Sequence, residues 1–227
     1  MNKGRNWLAG IILLIILFLI PNPAHALSAD DLTVEAGILM VADTGQVLVA
    51  KNADTPMEPA SITKIMTMLI ALEAIERGES VLSDKIRVTP DAEAIGGSQV
   101  WLRAGETFTL EQLLKAVAIQ SANDAAYSVA EHVAGSVPAF VRLMNRRAQE
   151  LGMKDTYFAN PHGLPPENGE RPSLTTVNDI TKMAQAILAY PIVLEWTSTW
   201  TEVFRSNPHT LLHNTNNLLR EYPGVDG

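Results

Sequence analysis

The chain has 227 residues, 47% apolar and 19% charged, enough for a packed core in one sizeable domain or two small ones. Its 25 acidic residues outweigh its 17 basic ones, a net charge of −8, and its densest basic pair is Arg146-Arg147. That excludes a nucleic-acid binder, which needs clustered cations at the phosphates, and the absence of cysteine excludes disulfides, thiol catalysis and Cys-based metal sites.

In chain order, Lys3 and Arg5 give a short positive start, and residues 7–20 then run apolar without a charge. Pro21 and Pro23 break the run before the small-x-small site Ala24-His25-Ala26. This is the pattern of a signal peptide over residues 1–26, with an uncleaved anchor as the alternative, although the run is short of the roughly 20 residues that cross a bilayer. Residues 27–32 read as a short polar start to the mature chain. Residues 35–41 and 46–50 read as strands around the turn Asp43-Thr44-Gly45, a β-hairpin. A long helix is expected from Ala60 or Ser61 to Arg77, stopped by Gly78. Residues 81–105 read as loops with short extended pieces. Thr109 opens a helix with a capping box to Gln112, and that helix reaches about Gln120. Further helices are expected over 123–134, 139–151 and 176–189, with Gly135 and Pro138 separating the first two. Residues 200–204 and 210–213 return to extended structure. Strands at both ends with helices between indicate an α+β domain whose sheet joins segments far apart in sequence.

The chemistry starts at Ser61. Between Glu58 and Glu73 the only charged residue is Lys64, set among Ile62, Ile65, Met66, Met68, Leu69 and Ile70. A helix apolar on nearly every side is buried, and burial favours the neutral amine, which is a base. Ser61 lies one turn earlier on the same face, at the helix N-terminus, where free N–H groups and the helix dipole stabilise an oxyanion. One stretch therefore supplies a nucleophile, a base for its proton and part of an oxyanion hole. The plainer reading is a core helix with a snorkelling lysine and a capping serine. Ser121-Ala122-Asn123, between two helical runs, places a hydroxyl and an amide where a cleft can use them, or is a turn with an N-cap.

Together these elements resemble a family. Ala60-Ser61-Ile62-Thr63-Lys64-Ile65-Met66-Thr67 is similar to the first motif of the low-molecular-mass penicillin-binding proteins, the D-alanyl-D-alanine carboxypeptidases of bacterial cell walls. Ser121-Ala122-Asn123-Asp124-Ala125 is similar to their second motif. The segments 97–100, 151–156, Asn160-Pro161-His162-Gly163-Leu164 and Tyr222-Pro223-Gly224-Val225-Asp226-Gly227 extend the resemblance over nearly all of residues 34–227. It implies a β-lactamase/transpeptidase-like α+β fold, an antiparallel sheet with a helical subdomain. It also implies a serine hydrolase without cofactor or metal. Ser61 attacks the carbonyl of the penultimate D-alanine of a peptidoglycan stem peptide, and Lys64 takes its proton. Ser121 and Lys64 deliver a proton to the leaving D-alanine, Asn123 holds the peptide, and water releases the acyl group. β-lactams would acylate Ser61. Such enzymes act outside the cytoplasm, with membrane contact through a signal peptide or a C-terminal tail.

The family's third motif, Lys-Thr-Gly, does not occur in this sequence. In the family it follows directly on the segment matched by Tyr222–Gly227. Residues 27–227 are therefore read as the N-terminal part of the catalytic domain, ending before the third-motif strand, and as inactive by themselves.

Other readings stay open. A class A β-lactamase shares Ser-x-x-Lys, but its second motif is Ser-Asp-Asn and Glu167-Asn168-Gly169 does not supply its deacylation context. A cross-link endopeptidase differs only in the leaving group, and a non-catalytic peptidoglycan-binding remnant would keep the fold alone. His209 and His213 lack the Glu of a zinc helix and lie in an extended segment. His132 and His162 read as structural. Trp101, Trp196 and Trp200 read as core or cleft packing, with a sugar-binding groove as the alternative.

Overall fold

The computed structural model describes residues 28–166 and 169–227. The signal segment expected over residues 1–26 lies outside them, as do Glu167 and Asn168. The chain divides into two compact units. In the first, which runs to Val34, the described part holds one 3-10 turn, Ala29–Asp31, closed by hydrogen bonds of 2.8 Å from the Ser28 N–H and hydroxyl to the Asp31 carboxylate.

The second unit, Glu35–Gly227, opens on the expected hairpin, β1 (Gly37–Met40) antiparallel to β2 (Val47–Lys51). Helix α1 (Thr63–Glu76) follows. Ten of its fourteen residues are buried. That is the consequence of a helix apolar all round, which has to be enclosed by neighbours rather than laid on a surface. The neighbours are α3 (Leu110–Gln120), α4 (Asn123–Ala134), α5 (Val137–Glu150) and α6 (Val177–Leu188). Gly78 ends α1 as anticipated: its φ of +72° lets the chain turn so that the Gly78 and Glu79 N–H groups close on the Ile75 and Ala74 carbonyls.

The capping box of α3 is present, with Thr109 Oγ1 accepting from the Gln112 N–H at 3.0 Å and Gln112 Oε1 from the Thr109 N–H at 2.9 Å. Helix α5 starts two residues before the expected Ala139. Ser136 caps it and Pro138 sits in its first turn, where a missing N–H costs nothing, so this proline admits the helix instead of separating it.

Several short elements escape a local reading. Strand β3 (Lys85–Arg87) pairs antiparallel with β4 (Thr107–Thr109) across the intervening loop, and α2 (Pro90–Ala94) lies within that loop. Helix α7 (Ile192–Thr197) precedes β5 (Thr201–Ser206) and β6 (His209–His213), and α8 (Leu218–Glu221) follows them. The mixture of helices with antiparallel strands is the α+β class that the sequence indicates. The strands differ from the expectation in one respect: among the described residues they form three separate two-stranded sheets, β1-β2, β3-β4 and β5-β6, rather than one sheet joining distant segments. Each docks on helices instead. Phe204 and Leu212 of β5-β6 are buried, Phe204 stacks on Phe108 of β4 with ring centroids 4.7 Å apart, and Lys115 of α3 pairs with Glu202 at 2.8 Å.

A fully buried carboxylate ties the loop 96–102 to α4. Asp124 accepts from the Val100 N–H through both oxygens at 3.2 Å, from the Leu102 N–H at 3.0 Å and from the Ala125 N–H at 2.9 Å. Removing the carboxylate in Asp124→Ala strands the buried Val100 and Leu102 donors. Each unsatisfied group costs about 1–3 kcal/mol. Urea denaturation should therefore show a loss of roughly 2–5 kcal/mol. An unchanged unfolding midpoint would mean that solvent reaches these groups and that the carboxylate does not hold the loop.

Candidate active site

The first candidate residues sit where the chain enters α1. A single 3-10 turn, Ala60–Ile62, precedes the helix, and Ala60 has a φ of +45°. A residue with a Cβ adopts that left-handed conformation only under constraint. The turn leaves Ser61 exposed, while Lys64, one turn on, is 3% exposed. The Lys64 Nζ lies 3.1 Å from Ser61 Oγ and donates to the His162 carbonyl at 2.9 Å. Among the described residues no carboxylate pairs with it. Burial alone pushes its amine down to about 8, so a minor but far larger share of it than of an ordinary lysine is neutral near physiological pH.

The partner of Lys64 comes from far along the chain. In the loop 160–164, Asn160 Oδ1 accepts from the His162 and Gly163 N–H groups, and Asn160 Nδ2 donates to the Leu164 carbonyl at 2.8 Å. The loop is fixed to α1 a second time by Thr67, whose hydroxyl donates to the Pro161 carbonyl at 2.6 Å. His162 itself is buried, and burial first, then the charge of Lys64, pushes its ring down to about 4. A neutral imidazole adds no second cation beside the amine. Gly163 has a φ of +85°, and a Cβ there would overlap the Ala60 carbonyl. Only glycine lets this loop approach the nucleophile turn so closely.

Ser121 closes the C-terminal end of α3 in the left-handed conformation, φ +58°, its N–H donating to the Val117 carbonyl at 3.1 Å. Ser61, Lys64 and Ser121 line one cavity of about 470 Å³ with apolar walls from Met68, Val117 and Ile187. Asn123 is not among its lining residues. It is buried: its N–H donates to the Ser98 carbonyl at 2.7 Å and its Nδ2 to the Gly96 carbonyl at 2.8 Å, while its Oδ1 has no partner. The structure therefore brings three of the four candidate residues to one cavity and sets the fourth behind it. A larger cavity, about 570 Å³, is lined by Arg142, Arg146 and Arg171 and shares no residue with this one. Among the described residues no group of three or more His, Asp or Glu could hold a metal ion, and His209 and His213 lie on strand β6.

The sequence reading missed the role of the loop 160–164. Its segment entered only as part of a resemblance, and His162 as structural. The one local signal is a glycine after Asn-Pro-His; that its neighbour's carbonyl meets a lysine 98 residues away has no local trace.

A family model, peptidase family S11, D-alanyl-D-alanine carboxypeptidase, matches residues 23–227. The chain is 42% identical over 195 residues to the D-alanyl-D-alanine carboxypeptidase DacF of Bacillus subtilis, covering 85% of this chain and 49% of that protein. It thus spans about half the length of this curated relative. Among solved structures, it is similar to a D-alanyl-D-alanine carboxypeptidase from Mycobacterium tuberculosis at a TM-score of 0.80 and 28% identity, covering 91% of this chain and 75% of that one. It is also similar to penicillin-binding protein D2 from Listeria monocytogenes in its cefotaxime-bound form, at a TM-score of 0.75 and 29% identity, covering 86% and 78%. These likenesses bear out the transpeptidase-like α+β fold read from the sequence.

Gly163→Ala should push the loop off the nucleophile turn, because its Cβ meets backbone and its φ disfavours any side chain. The expected loss is about 2–4 kcal/mol in chemical denaturation. An unchanged stability would show that the loop can withdraw without cost and that its approach to Ala60 is not fixed.

Proposed function

We propose, of a chain that belongs to the D-alanyl-D-alanine carboxypeptidase family, that it is the serine-nucleophile part of an enzyme that removes the terminal D-alanine from peptidoglycan stem peptides. The observation that carries the reading is the buried Lys64 amine, without a carboxylate partner among the described residues and 3.1 Å from the Ser61 hydroxyl. A lysine in that setting accepts a proton at neutral pH, and a serine beside it becomes a nucleophile.

In the proposed cycle Ser61 Oγ bonds to the carbonyl carbon of the penultimate D-alanine as its proton passes to Lys64 Nζ. The tetrahedral oxyanion is stabilised by N–H groups at the α1 N-terminus. As the C–N bond breaks, Ser121 and Lys64 return the proton to the leaving amine. Water then attacks the acyl-enzyme, with Lys64 again as base. Asn123 holds the substrate peptide by turning its amide, whose Oδ1 is unpaired, toward the cavity. A β-lactam enters the same path and stays on Ser61 because its leaving group remains attached. The site works outside the cytoplasm, where stem peptides are. Among the described residues no helix is long and apolar enough to cross a membrane. The substrate's terminal carboxylate needs a cation, which the resemblance assigns to a Lys-Thr-Gly motif absent from these residues. The full cycle is proposed for the protein encoded by the whole reading frame that contains this chain, and the 227 residues alone are expected to fail at turnover.

Fluorescent penicillin is the direct test, with that whole-frame protein. Mass spectrometry should place the adduct on the peptide that contains Ser61. Ser61→Ala should lose it entirely, and Lys64→Ala should lose more than about a thousandfold in acylation rate at unchanged circular dichroism. A folded wild type without adduct would overturn the reading.

The acylation rate has a pH dependence of fixed sign. Lys64 acts as base only when neutral, so the rate should rise with pH through a midpoint of about 8, where half of the amine has lost its proton, and level off above it. Stopped-flow acylation between pH 6 and 10 reads the midpoint. A rise that continues toward the ordinary lysine value would mean that the amine is solvated during attack.

A further inference from the structure

We propose that Trp101 is a stacking platform for a pyranose ring of the glycan that carries the stem peptide, a subsite beyond the cavity where the peptide reacts; this rests on the function proposed above. Among the large apolar side chains described, Trp101 is the most exposed, at 67%. The sequence reading expected all three mature-chain tryptophans to pack. Trp196 does, at 3% exposure, and Trp200 lies under the Arg220 guanidinium, 5.1 Å from its ring centre. Trp101 stands apart from both.

Its exposure is enforced by the backbone. Trp101 has a φ of +58°, in the left-handed region that a bulky L-residue adopts only when its surroundings dictate it. The surroundings do so on both sides. The Val100 and Leu102 N–H groups are bound by buried Asp124, and the Val100 and Trp101 carbonyls accept from Arg205 Nη2 at 3.1 and 2.9 Å. Arg205 is itself paired with Glu106 at 2.7 Å. The side chains of Val100 and Leu102 are anchored in the core. The backbone is thus held on both sides of Trp101, at the Val100 and Leu102 N–H groups and the Val100 and Trp101 carbonyls, and the ring between the two anchors is turned outward. Packing needs no such arrangement, since glycine would take this backbone without strain.

The position of the ring points to the same site. The segment that carries it is stitched to the second motif: Asn123 N–H to the Ser98 carbonyl at 2.7 Å, Ser98 Oγ to the Gln120 carbonyl at 2.8 Å, and Gln120 Nε2 to the Gln99 carbonyl at 2.9 Å. Among the described residues four non-glycine residues have positive φ, and two of the other three are Ala60, beside the proposed nucleophile, and Ser121. Trp101 does not line the Ser61 cavity. It therefore meets a part of the substrate remote from the scissile bond. The indole offers a flat face with negative charge density and no steric wall. A neutral ring that presents C–H groups on one face and hydroxyls at its rim fits that face.

The test uses this full chain with nitrogen-15 in its indole groups and a peptide-free disaccharide of N-acetylglucosamine and N-acetylmuramic acid as probe. The Trp101 indole signal is assigned from its loss in Trp101→Phe. That signal should shift saturably with the disaccharide while the signals of Trp196 and Trp200 stay in place. Titration calorimetry with the same disaccharide reads binding by variants that lack this indole: Trp101→Phe should bind within about threefold of wild type, and Trp101→Ala should bind more weakly by a factor of roughly 3 to 10, the range of an aromatic stacking contact. Trp101→Gly accepts the left-handed backbone, so its melting temperature should equal or exceed that of wild type while the disaccharide response is lost. An unmoved Trp101 signal, or full disaccharide binding by Trp101→Gly, overturns the platform. Penicillin labelling of wild-type Ser61 is read separately, on the whole-frame protein. If labelling fails while the Trp101 signal moves, the acyl-transfer reading falls and the sugar site stands; if labelling succeeds while the signal stays still, the reverse holds.

Discussion

An ammonium group enclosed by hydrocarbon and given no anion sets the terms for this site. Lys64 belongs to a helix that is covered on nearly every side, so water cannot solvate its charge, and the groups that meet its nitrogen are a hydroxyl and a carbonyl. A carboxylate in either place would hold the proton on the amine and remove the proposed base. The carbonyl of His162 instead orients the nitrogen and takes one N–H, and the nitrogen sits within hydrogen-bond distance of Ser61 Oγ. A buried aspartate would stabilise the charge; a buried carbonyl only aims it.

Much of the surrounding structure follows from keeping that geometry. Helix α1 is hydrophobic enough to demand four helical neighbours, and their packing makes it the rigid reference of the fold. The loop 160–164 must then reach its first turn with carbonyls exposed toward it. Asn160 spends both halves of its amide bending the loop back, Thr67 pins the Pro161 carbonyl, and Gly163 removes the only atom that would hold the two backbones apart. His162 is neutral for the reason that depresses Lys64: the same dry environment penalises both charges, and the charge of Lys64 depresses the His162 ring further.

What could be read from residues alone follows a physical boundary. Helix α1, its stop at Gly78, the capping box at Thr109 and the span of α4 are written in local periodicity and turn chemistry, and they stand as read. The pairing of Ser61 with Lys64 was legible because one helical turn joins them. The pairings of β3 with β4 and of Lys64 with His162 join residues with no local relation, so no window on the sequence contains them. Pro138 misled because its meaning depends on whether it falls before or inside a first turn, a difference of two residues. Trp101 misled more deeply. An apolar aromatic is ordinarily core, and what sends it outward is a φ angle imposed by Asp124 and Arg205, the latter more than a hundred residues away.

Left-handed backbone at Ala60, Trp101 and Ser121 costs free energy at each position, on the order of 1–3 kcal/mol. A glycine at any of the three would relieve the strain, yet this sequence has glycine at Gly78, Gly97, Gly105 and Gly163 for the neighbouring turns of the same kind. Asn52, just after β2, is a fourth such residue; the three named here share a setting. Each is locked by buried hydrogen bonds or packing on both sides, and each borders a group that the reaction is proposed to use. At Ala60 and Ser121 the strained residue orients a serine hydroxyl at a helix end; at Trp101 it orients a ring. Rigid neighbours make the strain tolerable, because a loop free to relax would relieve it by moving and would lose the aim of the side chain. The buried network of Asp124, Arg205 and Glu106 is therefore better understood as holding a direction than as adding stability, since its ionic members cost desolvation that their pairing largely offsets.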